Sequence, residues 1–96
     1  MIVIIPRLKA KPGSASELER ILRKVLVATH LETPPPAVYQ VSRSQADPNS
    51  FIIVEIFANA DALKRHAESP HLQQALPVIE SLLAEPWTAE YFDMLE

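Results

Sequence analysis

The chain has 96 residues, 48% of them apolar and 22% charged, with a net charge of −3; this is the size and balance of one folded domain spanning residues 1–96. The negative charge and the scattering of Lys and Arg argue against a nucleic-acid or anionic-membrane partner, which would want a basic stripe. With no cysteine and one glycine, disulfides, thiol catalysis, thiolate zinc sites, Fe–S clusters and Gly-rich phosphate loops are excluded.

Residues 2–10 read as a strand, rich in β-branched side chains, with Pro6 implying an edge position or a bulge. The apolar start stops at Pro6-Arg7, lacks a basic leader and is too short for a signal peptide or a membrane span, so a soluble cytoplasmic protein is expected. Lys11-Pro12-Gly13 turns the chain. Ser14 and Glu17 then form a candidate capping box. Leu18, Ile21, Leu22, Val25 and Leu26 recur at three and four, the apolar stripe of a helix running to His30.

Thr33-Pro34-Pro35-Pro36 breaks that helix, and a second strand covers residues 37–44, with Tyr39 and Val41 on one face. Asp47-Pro48-Asn49-Ser50 is a turn. The third strand, residues 51–58, is the most apolar and is expected to be central; its one charge, Glu55, shares a face with Phe51, Ile53 and Phe57. Asn59 caps a short helix on which Leu63, His66 and Ala67 share an inward face, while Ser69 and Pro70 open another helix with His71 in its first turn. Leu72, Ala75, Leu76, Ile79, Leu82 and Leu83 form its buried stripe, Pro77 predicts a kink, and Glu85-Pro86 ends it. Residues 87–95 alternate as a last strand.

The order β-α-β-β-α-(α)-β predicts an α+β, ferredoxin-like fold with a four-stranded antiparallel sheet and helices on one face. The strands are apolar on both faces, so the open face calls for a partner. A second copy is the simplest one, giving a homodimer with sheets face to face.

Several pieces in this order resemble the antibiotic biosynthesis monooxygenase family over nearly the whole length. They are residues 7–13 entering the first helix, Tyr39 in the second strand, Asp47-Pro48 before Phe51, Glu55 with an aromatic two residues on, Ala62-Leu63 followed by His66, and Ser69-Pro70-His71-Leu72. The resemblance implies a dimeric α+β barrel and, for many members, oxidation of a small phenolic or quinol-type aromatic substrate by O₂ with no cofactor. The chain departs from family patterns at Phe57, where a Trp is usual, and at Glu32, which is followed by Thr-Pro-Pro-Pro rather than Pro-Gly-Cys. Pro6, His66 and Leu76 stand where the haem-degrading branch has Asn, Trp and a ligand His, so haem degradation is not implied.

The resemblance makes His66 the base or anion holder, Tyr39 a hydrogen-bond donor and Glu55 an orienting group, with His71, Phe57, Leu63 and Leu76 against the substrate. Read from the residues alone, His66 is a hydrogen-bonded core residue or part of a pocket, Glu55 an ion-pair partner of Arg7 or Arg43 across the sheet or the dimer, and His71 an exposed or capping-region residue. His30 favours the dipole at the end of its helix. No metal is expected, because the histidines and carboxylates lack ligand spacing and a helix start separates His66 from His71. Two other functions fit the same fold: isomerisation of a small oxygenated metabolite through an enediol, and ligand binding without turnover.

Overall fold

A computed structural model describes residues 1–95; Glu96, the last residue of the expected domain, lies outside them. Seven elements follow in the order β1 (Ile2–Lys9), α1 (Ala15–His30), β2 (Val38–Arg43), β3 (Ser50–Phe57), α2 (Ala60–Ala67), α3 (Pro70–Ser81) and β4 (Thr88–Asp93). The strands form one antiparallel sheet in the order β2-β3-β1-β4, the ferredoxin-like α+β arrangement expected from the pattern.

β1 is an interior strand, not an edge. Its pairing with β3 lapses at Ile5 and Pro6 and resumes at Arg7 opposite Ile52 in unchanged register. Proline has no N–H to give, so the ladder is interrupted without the extra residue that a bulge would insert. Pairing with β4 continues through this point, with Pro6 opposite Ala89.

α1 buries Leu18, Leu22 and Val25, the stripe expected from its period. Its capping box does not form. The Ser14 backbone is already helical and its hydroxyl makes no cap bond, while Glu17 pairs with Arg20 one turn on. The caps of the other helices differ in kind. Asn59 Oδ1 accepts from the Ala62 N–H at 2.9 Å and fixes the start of α2. Ser69 instead donates to the carbonyl of His66 at 2.6 Å, tying the end of α2 to the start of α3. Pro77 lies inside α3, which ends at Ser81, before Glu85. Leu83 then bridges to Ala10. Gly13 has φ 85° in the turn into α1, the one place in the chain that uses glycine's freedom.

The core lies between the helices and one sheet face. Leu8, Leu18, Leu22, Phe51, Ile53 and Ile79 are buried there, with even residues of β1 and odd residues of β2 and β3 pointing in. The other sheet face carries Val3, Ile5, Ile52, Val54 and Ile56, all half-buried, beside exposed Phe92. No described helix covers it. None of the described helices is long and apolar enough to cross a membrane.

Candidate active site

A cavity of about 300 Å³ opens between the sheet and the helices. Its floor is built by register. Tyr39 of β2 lies opposite Glu55 of β3, Glu55 opposite Ile4 of β1, and Ile4 opposite Tyr91 of β4. Because side chains alternate, this row points into one space. Leu63 and His66 of α2 and Leu72, Gln73 and Leu76 of α3 form the facing wall, and Trp87 and the exposed Tyr91 stand where β4 has no helix over it. Among the described residues, Glu55 and His66 are its only titratable groups besides the two tyrosines, and no Lys or Arg lines it.

His66 is 3% exposed. Its inward position follows from sharing a helix face with Leu63, and the rings of Tyr39 and Phe57 hold it at centroid distances of 5.3 Å each. Nδ1 lies 2.9 Å from Glu32 Oε2. A carboxylate only accepts, so the network assigns the hydrogen of the neutral ring to Nδ1 and leaves Nε2 as the lone pair. Nε2 is 3.8 Å from Glu55 Oε1, close but beyond a hydrogen bond.

Glu55 does not pair with arginine. Arg7 points to the open sheet face and pairs with Glu90 at 3.1 Å, and Arg43 pairs with Glu19 at 3.2 Å beside the Phe51 ring. Burial, followed by the nearby charge of Glu32, raises the Glu55 carboxyl to about 7. Burial first, then the charges of Glu55 and Glu32, also push the Tyr39 phenol upward, opposed by its hydrogen bond with Thr29, so Tyr39 keeps its proton.

Of the residues expected at the site, the cavity brings together His66, Tyr39, Glu55, Leu63 and Leu76. His71 and Phe57 do not line it. Phe57 backs the imidazole from behind. His71 faces the far side of Glu32, its Nε2 at 3.0 Å from the same Oε2 that His66 uses and 3.3 Å from Thr29 Oγ1. The break between α2 and α3, expected to keep the two imidazoles apart, folds α3 back so that their centroids are 6.1 Å apart. His30, expected only to favour its helix dipole, has Nε2 3.0 Å from the Tyr39 carbonyl oxygen. Glu32 is the residue sequence reasoning missed as a participant. It follows the end of α1 in an irregular segment, where no periodicity says which way a carboxylate turns. The available signal was its match to the family's Glu before strand two. Glu32, His66 and His71 together offer three ligand atoms within 4.8 Å of one another, from the segment after α1, from α2 and from α3.

Comparisons with known proteins agree with this fold. No protein of curated function matches the chain. Among solved structures, an antibiotic biosynthesis monooxygenase superposes with a TM-score of 0.92 at 22% identity, covering 100% of both chains. A protein of Pseudomonas aeruginosa superposes with a TM-score of 0.89 at 25% identity, covering 99% of this chain and 94% of its own. One of Mycobacterium tuberculosis reaches 0.91 at 22% identity, over 99% and 95%. These likenesses establish the fold, and the sequence pattern described as antibiotic biosynthesis monooxygenase matches residues 1–77, from β1 through most of α3, so the chain belongs to that family.

Proposed function

We propose that the protein is a cofactor-independent monooxygenase acting on a small, neutral phenolic or quinol-type substrate in the cavity between sheet and helices. The observation that carries this reading is His66, buried and held by Glu32 through Nδ1 so that Nε2 is the free base beside an apolar cavity. Family membership supports the reaction class. The lining supports the substrate class: apolar walls suit rings, and a lining carboxylate, Glu55, with no lining Lys or Arg disfavours an anionic ligand.

In this proposal His66 Nε2 removes a proton from the substrate, and the Tyr39 hydroxyl and the protonated form of Glu55 donate to the oxyanion that develops. The substrate anion is the reductant of O₂. For a CH₂ flanked by phenolic rings, O₂ gives one atom to the product carbonyl and the other, with the two substrate hydrogens, to water. Two copies joined through their open sheet faces, as a homodimer, would cover the apolar residues left bare in one chain.

The test is turnover under ¹⁸O₂ with a panel of anthrones, hydroquinones and catechols. One labelled atom per product supports the proposal. Turnover that persists without oxygen would replace it with an isomerase, and tight binding with no turnover would replace it with a binding module.

A further inference from the structure

We propose that Glu32, His66 and His71 form a binding site for one divalent first-row transition-metal ion, set behind the cavity wall rather than in it. Three observations meet here. The first is geometry. Glu32 Oε2 lies 2.9 Å from His66 Nδ1 and 3.0 Å from His71 Nε2. Ligand atoms on bonds of about 2.1 Å stand about 3 Å apart at right angles and about 3.4 Å apart at the tetrahedral angle of zinc, so the donors need to spread by only about a few tenths of an ångström to take an ion. Two imidazoles and one carboxylate with open positions are a donor set that holds Zn²⁺, Fe²⁺ or Co²⁺.

The second observation is charge. Glu32 and Glu55 have side chains only 18% and 9% exposed, and among the described residues no Lys or Arg pairs with either; the side-chain nitrogens within 4 Å of their carboxylates are those of the two imidazoles. A divalent ion would supply the missing positive charge. The third is the oxygen around His71. Thr29 Oγ1 and Ser69 Oγ lie 3.3 and 3.4 Å from the same Nε2 that faces Glu32. One N–H serves one of these three oxygens, and the Ser69 hydrogen already goes to the His66 carbonyl. Lone pairs therefore crowd the point where the ligand atoms converge. Glu32 and Ser69 also line a separate cleft beside Pro34, Pro35 and Pro36, which gives an ion a route that does not cross the cavity.

A bound ion would also act on the proposed oxygenase chemistry of His66. An ion on His66 Nδ1 leaves the ring's remaining hydrogen on Nε2. The imidazole then presents a donor to the cavity, not a base, so a bound ion switches the base off.

The same distances suit two hydrogen bonds to one carboxylate oxygen, and the experiment separates the two cases. EDTA-treated full-length protein is titrated with Co²⁺, followed by its visible d–d absorption and by calorimetry, with Zn²⁺ as competitor. One saturable Co²⁺ site is expected, displaced by Zn²⁺. His71→Ala, outside the cavity, should weaken it at least about tenfold, since even outer-shell partners of a metal matter on that scale. Glu32→Gln should do the same, and His30→Ala should leave it intact. Circular dichroism checks that each variant is folded, and the appearance of Nε2–H on His66 in ¹⁵N spectra of the Zn²⁺-loaded wild type is a second readout independent of any variant. Absence of a saturable site in the wild type, or equal affinity in His71→Ala and His30→Ala, would overturn the proposal. Oxygen-dependent turnover by the EDTA-treated protein is a separate measurement, so failure of the metal site leaves the oxygenase reading standing.

Discussion

Glu55→Gln keeps the size of the side chain and removes its ionisation, so it isolates what burying this carboxyl costs the fold. In the folded protein, burial and then the Glu32 charge raise the carboxyl from 4.5 to about 7. The native state thus holds its proton more tightly than the unfolded chain does. Between these two values the native state binds more protons than the unfolded one, and stability falls as pH rises. Below the unfolded value both states are protonated and Glu55 costs nothing by ionisation; above about 7 both are ionised and the loss is complete. Each pH unit of the shift is about 1.4 kcal/mol, so the whole shift amounts to about 3 kcal/mol. Urea unfolding of metal-stripped wild type and Glu55→Gln at pH of about 4, 6 and 8 reads this as a change in midpoint at constant m. The variant should gain on the wild type as pH rises, by about 3 kcal/mol across the range. A stability difference that stays constant with pH, or moves the other way, would refute the assignment of Glu55 as a carboxyl buried without a cation.

Other expectations follow from packing and hydrogen bonding. Phe51, 2% exposed in the core, should cost about 3–5 kcal/mol when cut to alanine, read as a lowered urea midpoint. Val54→Asp puts a charge on the open sheet face without touching the cavity; light scattering should show a wild-type dimer and a variant monomer, and a monomeric wild type would dismiss the face-to-face dimer. Glu32→Gln offers His66 Nδ1 an amide in place of a carboxylate. Imidazole ¹⁵N shifts should show His66 divided between its two tautomers where the wild type holds one, with Glu32→Asp partly restoring the wild-type state. A tautomer indifferent to Glu32 would mean that Glu32 does not orient the ring.

Much of the fold was legible because burial imposes a period. The Leu18–Leu22–Val25 stripe and the alternation of Phe51, Ile53, Glu55 and Phe57 each state one inward face, and the structure buries those residues. Where the expectation failed, a local rule met a nonlocal one. Pro6 suggested an edge, but sheet order is set by which strands can cover a core, and the sheet tolerates one lapse in its ladder. Ser14 and Glu17 had the capping-box spacing, but Arg20 took the carboxylate.

The site divides in the same way. His66 was readable because helix period turned it inward with Leu63, and Glu55 because it was the one charge in an apolar alternation. Glu32 was not readable, since its partner His66 is 34 residues away and only the docking of α2 and α3 brings the imidazoles to it. His71 stood next to a recognisable helix start, yet nothing in the spacing said that it would face Glu32 rather than the cavity.

The measurement that tests the central claim most directly is oxygen uptake by the EDTA-treated protein with hydroquinones, anthrones and catechols, wild type beside His66→Gln. With His66 as the base, at least one compound should drive uptake that requires the wild-type protein and falls about a hundredfold or more in the variant, the scale of a lost general base. Uptake equal in both proteins, or no uptake with compounds that the wild type binds, would contradict the assignment of this cavity as a monooxygenase site built around His66.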